Sequence, residues 1–513
     1  MPTQNILSLD ALSAVAESQR GEGRSVVLCH GMFDLIHLGH VRHLQKAKLE
    51  GDVLMVTVTA DNFSRKGPGR PVFTDILRAE ALVALACVDY VAVNHADTAV
   101  SAIQTIKPNV YAKGSDYRDS EDDISGKIID EQQAVEAHGG RIYFTDELTF
   151  SSSNILNRHF GIFPEDTSRY LQDRRGEHNF DDISRELEKL ENCKTLVIGE
   201  AIIDRYTFVS PLGQSGKSSA LCVRHQYSED YAGGSMAVAN HIAAFVNDIT
   251  LLTALGGKGA QGVDDSEFIE NNLHKNVTPH LIRFSQAQTI VKQRFVDSDS
   301  LAKLFEVYYF EEGPQVSDPE EEEVCAWLQA NLQRFDAVIV PDYGNGMITP
   351  RMVEKICAPG PFLAVNTQVN SGNRGYHVVT RYPRANFICL NEPELWLASH
   401  NRHHPTEKLA RQIMAKLDAE YMAVTQGVKG LLAIDKKSAE PHHVPALASK
   451  VVDRVGAGDA FLALASICLA SGLPPKLASF VGAAAAALDV QFVGNRRTVE
   501  REALLQYISV LLK

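Results

Sequence analysis

Two α/β domains in tandem, each built on a parallel sheet, are what this sequence predicts, and three observations carry the prediction. The chain has 513 residues, several times the ~100–200 residues of one typical domain. From Ser25 onward, short β-branched runs alternate with amphipathic stretches, which is the pattern of βαβ units whose strands are buried on both faces. Between residues 161 and 192 that alternation gives way to charged sequence, PEDTSRYLQDRRGEHNFDDISRELEKLEN, ending in one helix. The expected division is therefore a first domain over 1–160, a linker over 161–192 and a second domain over 193–513.

In the first domain the elements run SVVLC, GHVRHLQKAKLEG, DVLMVTV, DILRAEALVALACV, YVAV and, last, GRIYFT. A right-handed crossover joins each parallel pair. The second domain opens on the strand KTLVIGE (194–200) and includes the strands DAVIVPD (336–342) and YMAVTQG (421–427), then helices over 457–471 and 474–489. The acidic run EEGPQVSDPEEEE (311–323) reads as a solvated loop and the negative first turn of a helix, where carboxylates favour the helix dipole.

Composition excludes several classes. With 45% hydrophobic and 22% charged residues the chain is an ordinary globular one, and its net charge of −14 has the wrong sign for coating nucleic acid or an anionic membrane. Neither partner is expected. The eight cysteines are scattered singly, with no C-x-x-C pair, and read as reduced core thiols. The N-terminus lacks a basic segment followed by an apolar one, and no apolar stretch reaches membrane-spanning length, so a cytoplasmic protein is expected.

The first candidate site lies in VVLCHGMFDLIHLGHVRHLQKAK, where an apolar strand meets His30-Gly31-Met32-Phe33-Asp34, then His37-Leu38-Gly39-His40, then a helix. Gly31 lets a phosphate approach the backbone, and Gly39 opens a helix start with N–H donors for anionic oxygens. Two histidines three apart can donate to charge developing on an α-phosphate; metal ligation or core packing is the alternative. The H-x-G-H motif resembles that of the nucleotidyltransferase superfamily over roughly residues 24–160. Lys66 with Arg70-Pro71, Arg78, the stretch Lys113-Gly114-Ser115-Asp116-Tyr117, and Ser151-Ser152-Ser153-Asn154 follow in order. GRPVF, CVDYV, K-G-S-D-Y and the serine-rich turn are similar to the transferase half of bifunctional heptose-phosphate kinase/heptose 1-phosphate adenylyltransferases, and DELTFSSS lacks the arginine of glycerol 3-phosphate cytidylyltransferases. The resemblance implies a Rossmann-like domain in which His37 and His40 stabilise the transition state. Gly31, Phe33, Asp34, Gly39, Lys66, Arg70, Lys113, Ser151, Ser152 and Ser153 would then bind nucleotide or phosphate, with Asp34 orienting the loop or the acceptor sugar.

The second candidate site is VVDRVGAGDAFLALA, in which Gly456-Ala457-Gly458-Asp459 opens a long apolar helix. Its glycines strip the turn for an anion hole, and the carboxylate at the helix start can accept a proton from an attacking hydroxyl or serve only as a cap. G-A-G-D resembles the signature of ribokinase-like (PfkB) carbohydrate kinases over residues 193–513, as do Gly233-Gly234 with Asn240, Asn391-x-x-Glu394, and Thr425-Gln426-Gly427 with Gly430. The resemblance implies an α/β domain with a small β lid and Asp459 as catalytic base. Asp204, Gly233, Gly234 and Asn240 would bind the sugar. Thr425, Gly427, Gly430, Gly456, Ala457 and Gly458 would bind ATP, and Asn391 and Glu394 would act on Mg²⁺ indirectly. Asn366-Thr367-Gln368 stands where relatives have D-P-K, and Arg454-Val455 where they have a threonine pair. The run GQSGKS (213–218) lacks the first P-loop glycine, since Pro211 occupies that position, and GKGAQG (257–262) has no downstream acidic partner; neither is read as a nucleotide motif.

The resemblances together imply a sugar-activating enzyme using Mg²⁺ and ATP, with CTP as the alternative nucleotide at the first site, and a homodimer. Its domain order is the reverse of the usual kinase-first arrangement. A non-heptose sugar or polyol phosphate as substrate, or a nucleotide sensor with one inactive domain, are the other readings.

Overall fold

A computed structural model describes residues 5–63, 71–96, 98–114, 128–145, 163–257, 265–310, 316–370, 372–373 and 375–512. The chain divides into two compact units, residues 1–168 with 505–513, and residues 169–504.

In the first unit six strands form one sheet: β1 (Ile6–Leu7), β2 (Val26–Gly31), β3 (Val53–Thr59), β4 (Tyr90–Asn94), β5 (Val110–Gly114) and β6 (Arg141–Thr145), in the order β1-β4-β3-β2-β5-β6 and all parallel. Because side chains alternate across a strand, neighbours in sequence serve different cores. Val26, Leu28, Val53 and Met55 pack in one layer with Leu12 and Ile103, while Val27, Cys29, Leu54 and Val56 pack in the other with Leu44 and Leu82. That is why these strands read as unbroken apolar runs. The order of strands reverses at β2, with β3 on one side and β5 on the other, and ligands of open α/β sheets bind at the carboxyl end of such a switch point.

The second unit repeats the logic on a larger scale. A nine-stranded sheet is formed by β7 (Thr195–Ile198), β10 (Ile249–Gly256), β11 (Val277–Phe284), β14 (Ala337–Asp342), β15 (Phe362–Thr367), β16 (Phe387–Asn391), β17 (Tyr421–Thr425), β18 (Leu431–Asp435) and β19 (His442–Val444). Its pairings are parallel except β17–β18 and β18–β19. The order β11-β10-β7-β14 puts its switch point between β7 and β14. A separate four-stranded sheet, β13-β12-β8-β9, joins β8 (Ala201–Gln214), β9 (Leu221–Gly234), β12 (Ile290–Asp297) and β13 (Lys303–Tyr309); this is the small β lid expected. The charged stretch read as a linker with one helix holds two, Glu165–Glu177 and Phe180–Glu188. Asn179 starts the second by accepting from the Asp182 amide, a side-chain cap that can interrupt a charged run between two helices.

Candidate active sites

At the carboxyl end of β2 the chain enters the helix Leu38–Leu49 through a cap made of two histidines. His37 Nδ1 accepts from the Gly39 amide at 3.1 Å, His40 Nδ1 accepts from the His37 amide at 3.5 Å, and the two rings stack 4.0 Å apart. Each Nδ1 is thus an acceptor, so in the neutral imidazole the proton sits on Nε2. Burial holds the His37 pKa below its ordinary value, and its Nε2 is buried without a hydrogen-bond partner among the described residues. The cap therefore leaves an Nε2–H donor on His37 unused by the cap itself. The amide of Gly39, expected to be open for an anion, is the one that His37 caps.

The loop leading to this cap is braced from below. Phe33 and Leu35 both have φ near +49°, a left-handed conformation that L side chains adopt only under constraint. Asp34 supplies constraint: it is buried and accepts from the amides of Val72 at 2.9 Å and Phe73 at 3.2 Å. Of its two expected roles, loop orientation is the one these bonds perform. Phe33 packs its ring in the core and edge-on to His40, leaving only its backbone to a nucleotide. Arg78, fully buried, donates to Met32 O, Phe73 O, Thr59 O and Asp61. Lys113, expected on phosphate, pairs with Glu131 at 2.8 Å. Gly31 stands at the end of β2 with the Phe33 ring 3.2 Å from where a Cβ would be. Lys66, Arg70, Ser151, Ser152 and Ser153 lie outside the described residues.

In the second unit the helix Ala457–Ala470 starts from Gly456, whose φ is +98°. A Cβ there would lie 2.6 Å from Asn495 Oδ1 and from Asp489 Oδ2, so both conformation and space require glycine. Asp459, in the first turn of this helix, accepts from the Tyr343 hydroxyl at 2.8 Å. Burial pushes its pKa up to about 6, opposed by that hydrogen bond. Tyr343 directly follows β14, and Glu200, which follows β7, accepts from the amides of Tyr343 at 3.1 Å and Asn345 at 3.0 Å. The switch point between β7 and β14 thus fixes the tyrosine that positions the carboxylate.

Asp204 is buried on β8, bound by Arg294 Nη1 at 2.6 Å and by Asn495 Nδ2 at 3.0 Å. Gly233 on β9 pairs with Ile202, diagonal to Asp204, where a Cβ would strike Asp204 Oδ2 at 2.4 Å, and Gly234 has φ +60°. Asn240 is not part of this group. Its amide donates to Asn272 O and its carbonyl accepts from the His274 amide, so it ties its helix to the next loop. Its place six residues beyond Gly234 carries it a turn and a half down the helix Ser235–Ala243.

Asn391 and Glu394 form a capping box at the helix Glu392–Ser399, Oδ1 of the former accepting from the latter's amide at 2.9 Å and Oε2 of the latter from the former's at 2.8 Å. Oε1 of Glu394 accepts from Val369 N at 3.3 Å, and burial raises its pKa to about 7. Among the described residues no group of three His, Cys, Asp or Glu side chains could hold a metal. A carboxylate retaining lone pairs beyond two backbone bonds suits the water shell of a magnesium ion that arrives with phosphates, so these residues fit the indirect role. Thr425 pairs in register with Asn391, which places the Gly427–Gly430 turn beside that box, with Gly427 at φ +59° and Gly430 at +91°.

The two candidate sites each lie at a strand-order reversal of an α/β sheet and carry titratable side chains, His37 and His40 in one and Asp459 in the other. Residues 193–501 match the family model for pfkB family carbohydrate kinases, and residues 28–158 match the cytidylyltransferase-like model. The chain belongs to the pfkB family of carbohydrate kinases and carries a cytidylyltransferase-like region ahead of the kinase region. Curated relatives include "Bifunctional protein HldE" of Geobacter metallireducens, 38% identical over 31% of this chain and 32% of the relative. The HldE of Syntrophotalea carbinolica is 40% identical over 29% and 30%. These matches lie in the N-terminal region and span about a third of the relatives' length. Among solved structures, ribokinase of Thermotoga maritima is 20% identical, with TM-score 0.48 over 61% of this chain and 98% of its own. Phosphofructokinase-2 of Escherichia coli is 15% identical, with TM-score 0.49 over 63% and 100%.

Sequence reading missed Tyr343, Lys292, Arg294 and Asn495. Only strand register and chain return bring them to Asp204 and Asp459.

Proposed function

We propose that the chain is a bifunctional sugar-activating enzyme. At the second site a hydroxyl of a sugar phosphate attacks the γ-phosphorus of ATP, ADP leaves, and the hydroxyl proton passes to Asp459. At the first site an oxygen of a sugar 1-phosphate attacks the α-phosphorus of an NTP and pyrophosphate leaves, giving a nucleotide sugar. The Tyr343-held carboxylate at the glycine turn carries the kinase reading. A base whose pKa is near 6 is ionised at neutral pH yet basic enough to take a proton in the transition state. The Gly456–Gly458 turn and the helix behind it present amides to phosphate.

At the first site, His37 and His40 hold Nε2–H donors for charge that develops on the α-phosphate. Magnesium, when bound, screens the triphosphate charge; Asn391 and Glu394 would meet it through its waters. The heptose-enzyme resemblance of GRPVF, CVDYV and K-G-S-D-Y supports a heptose 7-phosphate-like acceptor and an ADP-heptose-like product, with ATP at both sites. A homodimer in the cytoplasm is part of the same reading, as are Gly31 and the loop residues Lys66, Arg70 and Ser151–Ser153 as phosphate ligands. Incubating the protein with each of ATP and CTP and a panel of sugar 1-phosphates, scoring pyrophosphate, and with ATP and sugar phosphates, scoring ADP, tests the proposal. Pyrophosphate with ATP and ADP with a sugar phosphate are expected; neither product would refute it.

A further inference from the structure

The inner face of the small sheet carries a row of polar side chains set by register. Lys292 on β12 stands opposite Asp204 on β8 and opposite Tyr308 on β13, and Arg294, two residues on, stands opposite Tyr206 and Glu306. Both cations are buried, Lys292 at 8% exposure and Arg294 at 6%. Their partners differ. Arg294 binds Asp204 at 2.6 Å and approaches Glu306 at 3.3 Å. Lys292 has three N–H donors, and among the described residues the one acceptor bonded to it is Gln368 Oε1, at the long distance of 3.4 Å. Its remaining neighbours are ring faces, Tyr343 at 5.4 Å and Tyr308 at 5.8 Å.

The nearby carboxylates attract Lys292 electrostatically but direct their hydrogen bonds elsewhere, Asp204 to Arg294 and Asn495, Asp459 to Tyr343, and Glu200 to two backbone amides. A buried ammonium with unused donors is costly until acceptors complete its hydrogen bonds, and the oxygens of a phosphate are the strongest acceptors for it. Burial accordingly holds the Lys292 pKa below its ordinary value. A neutral sugar hydroxyl would not require it, since Asp204 and Asn495 already offer the polar groups that bind hydroxyls.

We propose that Lys292, walled by Tyr308 and Tyr343 and flanked by Gln368, is the specificity-determining residue that receives an anionic substituent, a phosphate, already present on the acceptor of the kinase site. This rests on the kinase reading of the site and names the residue that recognises the phosphate of its acceptor.

The test compares phosphorylated and neutral acceptors in matched pairs: ribose with ribose 5-phosphate, fructose with fructose 6-phosphate, and sedoheptulose with sedoheptulose 7-phosphate. Binding to the full chain is measured by calorimetry without ATP, then transfer is measured with ATP. Wild type is expected to bind at least one phosphorylated member more tightly than its partner. Lys292→Met, which keeps length and apolar bulk, should narrow that ratio by about 10- to 100-fold, the range for losing a charged hydrogen bond. The loss in transfer should fall on KM more than on kcat, and Lys292→Arg should restore most of the ratio. Equal binding of every pair by wild type, a ratio untouched by Lys292→Met, or an equal kcat loss on both members would overturn the assignment. Failure of the kinase reading looks different: no ADP is formed from any acceptor, while the binding ratios still report on Lys292.

Discussion

The Tyr343 hydroxyl donates to Oδ1 of Asp459 at 2.8 Å, across 116 residues of sequence, and this bond sets the basicity of the proposed base. Burial raises the Asp459 pKa and the bond lowers it. With the net value near 6, kcat/KM for phosphoryl transfer should fall as pH drops below about 6, because the protonated carboxyl cannot accept the hydroxyl proton. Removing the bond with Tyr343→Phe takes away the lowering influence, so the acid limb should move to higher pH. A pH–rate profile checks this; a limb that stays in place or moves down contradicts the positioning role.

Replacing either histidine of the first site tests the double cap. His37→Ala and His40→Ala should each lower nucleotidyl transfer by about 10²- to 10³-fold, the usual loss for one transition-state donor. Kinase activity, housed in the other unit, serves as the internal control. Pyrophosphate release at the parent rate would show that the histidines only cap the helix.

Gly456→Ala should abolish phosphoryl transfer while nucleotidyl transfer persists. A left-handed φ costs an L residue about 1–2 kcal/mol, and the added Cβ meets Asn495 and Asp489 at 2.6 Å, which forces the anion-binding turn to shift. ADP formation within a few-fold of the parent would contradict the turn's proposed role.

Sequence reading succeeded where the chemistry is local. His37 and His40 lie within one helical turn, and Gly456 to Asp459 are contiguous, so spacing together with the family resemblances exposed both candidate centres. The apolar runs gave away the sheets because strands such as β2 are buried on both faces. What spacing could not show is which polar side chains meet across strands. Arg294 reaches Asp204 from 90 residues away and Asn495 from 291, through pairings that depend on register. Nor could spacing show that Asn240 and Asp34 each also hold nearby backbone groups, Asn240 to Asn272 and His274 and Asp34 to Val72 and Phe73.

The central claim is that Asp459 accepts the acceptor's proton, and Asp459→Asn isolates that step. Asparagine preserves shape and the ability to accept from Tyr343, but it cannot take up the proton. The helix is capped by Gly456 with no side-chain cap bond, so the exchange removes no cap and stability should barely change. A single-turnover assay with ATP, Mg²⁺ and a sugar phosphate that the parent phosphorylates should show the transfer step nearly lost while ATP affinity stays close to the parent's. Transfer within a few-fold of the parent would contradict the account and leave Asp459 as a first-turn residue that only anchors Tyr343.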